Sequence, residues 1–257
     1  MLNKSKILGF EQTFCTLDSA TALILKKNSG SESSYFCISN TYQIILGLED
    51  EKYSKVLKRA KHSIPDSAVL GFCGKLLGHV PSELKPFRGY DLLLSLLEAS
   101  EISGINIGFY GGTEIGIKKI VEKIEINFPK LQVNFAFSPP FRKLYDEEFR
   151  DISQKINDAN IDLLLVGIGC PKQENFMFDI SKSISSTTMV GVGAAFDFFT
   201  GDVVPSHTLV HRFGFEWLYR LAREPRRLFK RYAIYNLKFI FYFSGQLFKK
   251  IINIIEK

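Results

Sequence analysis

A chain of 257 residues that is 46% hydrophobic, 23% charged and 13% aromatic has the make-up of one folded globular unit with an appendage. A mean hydropathy of +0.03 excludes a polytopic membrane protein, and abundant Val, Ile, Leu and Phe exclude wholesale disorder. The net charge of +6 is unevenly spread: residues 205–257 hold eleven Lys and Arg against three Glu, a balance of +8, which leaves the first 204 residues at −2.

Residues 1–10 lack the apolar stretch and small-residue cleavage site of a secretory signal. Residues 20–34, ending in a Ser- and Gly-rich stretch, read as a loop. A strand over 35–39, a turn into a helix over 41–47 and a basic helical stretch over 54–63 follow, before Pro65-Asp66. Four apolar runs then end in glycine or proline: 105–110 before Gly111-Gly112, 133–137 before Pro139-Pro140, 161–168 before Gly169, and 188–192 before Gly193. Between the first two, Ile117, Ile120, Val121 and Ile124 mark one face of a helix, and residues 146–159 supply the next. Near-continuous apolar strands alternating with helices predict a Rossmann-like α/β core with a parallel sheet covered on both faces.

That alternation stops near residues 201–205, which divides the chain into a core of residues 1–204 and a helical C-terminal appendage of residues 205–257. The appendage mixes arginines with Trp217, Tyr232, Tyr235, Phe239, Phe241 and other rings, a composition suited to an anionic membrane surface. Its bland alternative is a helix packed on the body by its aromatics with a solvated basic face. Arg220, Arg223, Arg227 and Arg231 are spaced so that one continuous helix would align them on a stripe. A basic block of this kind also suits nucleic acid or a phosphorylated substrate. No apolar run approaches the roughly 20 residues of a spanning helix.

Cys15, Cys37, Cys73 and Cys170 are spread without a Cys-x-x-Cys and read as buried thiols of a reducing cytoplasm. Gly111-Gly112-Thr113-Glu114-Ile115-Gly116 follows a strand and opens a helix, where a tight structural turn and a nucleotide contact fit equally. The stretch of residues 167–174 ends another strand, so Lys172 could meet phosphate and Gln173 a uracil or a sugar amide. Asp66, beside Ser67 and Ala68, has room for a substrate hydroxyl and could act as a general base, although Pro-Asp-Ser is also ordinary turn chemistry. His207 and His211 share a helical spacing but lack a third metal ligand, and no Asp-x-Asp occurs.

Taken in order, Arg88-Gly89-Tyr90-Asp91, Phe109-Tyr110-Gly111-Gly112-Thr113, and residues 162–174, 190–198 and 215–227 resemble the bacterial WecG/TagA/CpsF glycosyltransferases over approximately residues 6–232. The resemblance implies inverting transfer of a sugar, N-acetylmannosamine or its uronic acid, from a UDP-sugar to an undecaprenyl-diphosphate-linked amino sugar. It implies Asp66 as the base, Asn40, Arg88 and Gln173 in the pocket, and Arg220, Arg227 and Arg231 as appendage contacts to diphosphate and membrane. No cofactor, no metal and no nucleic acid would be involved, and the place of action would be the cytoplasmic face of the bacterial inner membrane. The appendage surface could also serve oligomerisation. Two other classes remain readable from the residues alone: a nucleotide-dependent Rossmann oxidoreductase, and a nucleic-acid binder acting through the basic tail. The chain departs from its relatives at Asp66-Ser67, where many have Asp-Gly, and at Ile38, where many carry a hydroxyl. It also has Val203-Val204-Pro205-Ser206-His207 in place of an Arg-Ala-Pro-x-Trp. These changes bear on the identity of the sugar more than on the reaction class.

Overall fold

The computed structural model describes residues 2–26, 31–81, 83–204, 210, 216–223 and 225–256; the side chains of Glu216, Arg220, Arg227, Lys230, Arg231 and Ile254 are outside that description. An antiparallel hairpin of β1 (Asn3–Ile7) and β2 (Phe10–Phe14) comes first. Six strands follow: β3 (Ser34–Ser39), β4 (His62–Pro65), β5 (Ile107–Gly111), β6 (Val133–Phe137), β7 (Leu163–Gly167) and β8 (Thr188–Gly191). They pair in parallel, in the order β4-β3-β8-β7-β5-β6.

Helices fill the connections, as parallel pairing requires. These are α1 (Leu17–Leu25), α2 (Thr41–Glu49), α3 (Glu51–Arg59), α4 (Ala68–Leu76), α5 (Gly89–Ser103), α6 (Glu114–Asn127), α7 (Asp146–Asp158), α8 (Lys172–Ile180) and α9 (Ala195–Thr200). Alternate residues of each strand serve opposite layers. Tyr35 and Cys37 join the core under α2, α3, α7 and α8, where Ile44, Val56, Ile152 and Met177 meet them. Phe36 and Ile38 join the core under α1, α5, α6 and α9, with Ala20, Leu93, Ile120 and Phe196. This is the doubly covered, Rossmann-like sheet expected from the continuous apolar runs.

The two edge strands are handled differently. On β6 burial alternates along the strand, leaving Asn134 and Ala136 exposed. Beside β4 lies β2, with Thr13 Oγ1 2.9 Å from His62 Nδ1, so that edge is covered by the N-terminal hairpin.

Several local expectations are corrected. Residues 20–25 are the last six of the nine residues of α1, not a loop: Thr16 caps the helix, and Ala20 and Ile24, one turn apart, are buried against α5. The basic helix runs over Glu51–Arg59 because the Asp50 side chain accepts from the backbone of Lys52 and Tyr53 and fixes its start. Residues 62–63, expected at its end, belong to β4. Cys15, Cys37 and Cys73 are buried free thiols, whereas Cys170 is only half-buried because it stands at the sheet edge beside the cleft.

The chain closes with α10 (Glu216–Arg223) and α11 (Pro225–Ile255), whose 31 residues extend for about 46 Å. The break falls before Pro225, which suits a first helical position and cannot continue a preceding helix. Arg220 and Arg223 therefore belong to one helix and Arg227 and Arg231 to another, not to one continuous stripe.

One face of α11 lies along α2. Phe239 and Phe243 enter the core, and Tyr235 meets Tyr42 edge to face at 4.6 Å. Thr41 Oγ1 donates to Asn236 Oδ1 at 3.1 Å, and Lys238 pairs with Glu49. Further along, the Gln246 carboxamide bonds both the Leu8 N–H and the Lys6 carbonyl at 2.8 Å. Phe229, Leu237 and Ile240 of the same helix are exposed where they border a cleft at the carboxyl edge of the sheet, and Phe241, Phe248 and Ile251 are exposed elsewhere along it. Among the described residues no helix is long and apolar enough to cross a membrane.

Candidate active site

The carboxyl ends of β3, β4, β5, β7 and β8 open into one cleft of about 1770 Å³, the position at which open α/β sheets bind ligands. Helices α10 and α11 complete it, through Trp217, Leu221, Phe229, Tyr232 and Asn236. A T-shaped contact between Trp217 and Tyr232, with centroids 5.9 Å apart, ties the two helices together there.

Asp66 leaves β4 into this cleft. Its N–H donates to the Ser39 carbonyl at 3.2 Å, which holds the turn beside β3. The next residue, Ser67, caps α4 by accepting from the Val69 N–H at 3.2 Å, so the hydroxyl at this departure from the family pattern has a structural task. Gly89, the first residue of α5, faces the carboxylate: a Cβ there would sit 3.8 Å from Asp66 Oδ2 and 3.7 Å from Ile38 Cγ2. Ile38, buried and apolar on the cleft wall, thus approaches the same point as the Asp66 carboxylate, where a hydroxyl was the family expectation.

Asn40 ends β3 and caps α2, its Oδ1 accepting from the Gln43 N–H at 3.2 Å. Its Nδ2 hydrogens and the second Oδ1 lone pair are what it can offer a ligand. Arg88 caps α5 and forms a fork with Asp91, Nε to Oδ2 at 2.9 Å and a terminal nitrogen to Oδ1 at 2.6 Å. Both residues are partly exposed, and the guanidinium is held in place at the cleft wall by that pairing.

The two neighbouring glycines after β5 differ in role. At Gly111 φ is +134°, and a Cβ would lie 2.5 Å from the Gly167 backbone, so glycine is needed for β5 and β7 to approach. Gly111 is buried and absent from the cleft wall, whereas Gly112 lines it, followed by Thr113 as the cap of α6. Lys172 is exposed at the first turn of α8 on the cleft wall.

Gln173 is 3% exposed and packs on Gly191 at the end of β8, where a Cβ would come 2.7 Å from its Nε2. Beside it Glu174 is fully buried, accepting from Gln43 Nε2 and Gln173 Nε2 at 2.8 Å each and from the Tyr53 hydroxyl at 3.1 Å. Burial raises its pKa, and donors from Gln173, its own backbone and Tyr53 oppose that rise. Glu174 and Gln43 were not singled out as site residues by the sequence.

The fold thus brings Asn40, Asp66, Arg88, Gly112, Lys172 and Gln173 to one cleft. Arg220, Arg227 and Arg231 lie on the helices that complete it, with side chains outside the described residues, as are His207 and His211 entirely. Among the described residues, no three His, Cys, Asp or Glu side chains converge as a metal site.

The family described as "Glycosyl transferase WecG/TagA/CpsF family" matches residues 5–252. The chain belongs to the WecG/TagA/CpsF glycosyltransferase family. Two curated relatives bear the name N-acetylglucosaminyldiphosphoundecaprenol N-acetyl-beta-D-mannosaminyltransferase. The one from Bacillus spizizenii is 29% identical over 184 residues, covering 70% of this chain and 67% of its own. The one from Bacillus subtilis is 26% identical over 181 residues, covering 70% and 68%. The family match takes in the core and both C-terminal helices, so every cleft residue named above lies inside it. As a member of a glycosyltransferase family, the chain is read as a transferase and not as an oxidoreductase.

Proposed function

We propose that this glycosyltransferase moves N-acetylmannosamine, or a close relative such as its uronic acid, from a UDP-sugar to an undecaprenyl-diphosphate-linked N-acetylglucosamine. The names of the Bacillus relatives support the sugar and the acceptor. The observation that carries the mechanism is the position of Asp66 in the cleft at the carboxyl edge of the sheet, within a family of sugar transferases. Inverting transfer is an in-line displacement. Asp66 takes the proton of the acceptor hydroxyl as the new bond forms, while the UDP leaves from the opposite side of the sugar.

Negative charge gathers on the departing diphosphate. Lys172, the backbone N–H groups after Gly112 and the appendage residues Arg220, Arg227 and Arg231 are the groups assigned to it, and the reaction needs no added metal. Asn40 and Arg88 orient the substrates on the Asp66 side. Residues 205–257 act as a membrane-associating appendage: the exposed rings of α11 and the +8 charge favour an anionic lipid surface at the cytoplasmic face of the inner membrane. There the core of residues 1–204 meets its lipid-linked acceptor.

Asp66→Asn keeps the shape of the side chain and removes the base. UDP release in the presence of a polyprenyl-diphosphate acceptor should fall about 10²- to 10⁴-fold, with an unchanged melting temperature. Full turnover by that variant would refute the assignment.

A further inference from the structure

The cleft wall contains a polar cluster that the proton transfer leaves unused. Oε1 of the buried Glu174 accepts from the amide nitrogens of both Gln43, in the first turn of α2, and Gln173, in the first turn of α8. Both carboxamides turn their N–H groups toward this one oxygen, each at 2.8 Å. Both amide oxygens therefore turn away. Gln43 is 1% exposed and Gln173 3%, and neither Oε1 has a hydrogen-bond partner among the described residues. Folded proteins rarely leave such atoms unpaired, because each costs the full desolvation of a polar group.

Both residues line the cleft. The Gln173 amide is pinned against the turn after β8, with Oε1 3.5 Å from the position a Cβ would take on Gly193. Glu174 is held in turn by the Tyr53 hydroxyl, 3.5 Å from Cys170 Sγ, so the orientation is set from behind the cleft wall.

We propose that Glu174 is a positioning residue that fixes Gln43 and Gln173 as paired acceptors for an amide or imide N–H of the bound ligand. The inference rests on the UDP-sugar reading, under which two groups carry that chemistry: the uracil imide and the acetamido group of an N-acetylated sugar. A site built this way discriminates by leaving its acceptors buried and unpaired when the donor is missing.

Calorimetric titration of the full chain with UDP and N3-methyl-UDP, and with UDP-N-acetylmannosamine and UDP-mannose, separates the two sources. One pair should differ roughly 10- to 100-fold in affinity, the first if uracil is read and the second if the acetamido group is. Gln43→Met, Gln173→Met and Glu174→Met should collapse that ratio. Glu174→Gln should retain it, since its amide oxygen can still accept from both glutamines while its nitrogen donates to Tyr53. A merely structural role would lower all affinities together and leave the ratio intact, which would overturn the inference. So would equal affinities within both pairs; binding of UDP would then leave the proposed transferase reading standing. Absence of binding by every sugar nucleotide would overturn both.

Discussion

Phe243→Ala removes a ring that α11 buries in the core of the body. Phe243 is 8% exposed and stacks on Phe239, with centroids 5.8 Å apart and planes at 5°. Core Phe→Ala changes cost about 3–5 kcal/mol, and a helix with only one buried face relaxes more easily than a central strand, so about 3 kcal/mol is expected. For a chain of this size that lowers the melting temperature by about 6–12 °C. Phe239→Ala, at 2% exposure, should cost at least as much. The double variant should cost about 0.5–1.5 kcal/mol less than the sum, the share belonging to the ring pair. Phe241→Ala, 73% exposed on the other face, should stay within about 0.5 kcal/mol of the parent. Circular dichroism melts together with amide exchange along α11 provide the readout. A parental melting temperature for Phe243→Ala, with no faster exchange in α11, would refute the claim that this helix is held by its aromatic face.

Gly111→Ala should abolish accumulation of folded protein, because its Cβ meets the Gly167 backbone, which no side-chain rotation can move aside; a normal yield with a parental melting curve would contradict it. Burial, with Lys4 and Lys61 adding to it, lowers the His62 pKa from its usual value of 6.5. The unfolded chain therefore binds this proton first, so the His62 contribution is present above about pH 6.5 and lost as pH falls through the folded value. Urea midpoints should accordingly drop between neutral and mildly acidic pH, and less steeply in His62→Gln. Serine at Phe241, Phe248 and Ile251 together should weaken flotation with anionic vesicles about ten-fold or more at unchanged stability, since these side chains point away from the core. Unaltered flotation would remove the outer face of α11 from the account.

The central sheet was legible because β5, β7 and β8 are buried on both faces and so are written as unbroken apolar runs. Strand β4 was not: His62-Ser63-Ile64-Pro65 is short and half polar, and its burial comes from β2 and β3, contacts that no local pattern announces. The polar residues of 27–34 masked the end of α1, although Ala20 and Ile24 carry its buried face. In the site, Gln173 and Asp66 could be named because each follows the end of a strand, whereas Asn40 was reached only through the family resemblance. Gln43 could not be named. Asn40-Thr41-Tyr42-Gln43 has the spacing of a capping box, in which the glutamine would turn back on its own helix. Instead it reaches Glu174, 131 positions away. The spacing of the four arginines was real, but Pro225 divides the helix that would have aligned them.

The central claim is that this cleft transfers a sugar from UDP to a lipid-linked acceptor. Mass spectrometry of the full chain incubated with a panel of UDP-sugars and a polyprenyl-diphosphate N-acetylglucosamine tests it most directly. The account predicts an acceptor heavier by one N-acetylmannosamine-type residue, with release of UDP that persists in the presence of a chelator. An unmodified acceptor with every UDP-sugar offered, from protein that is folded and membrane-competent, would contradict it.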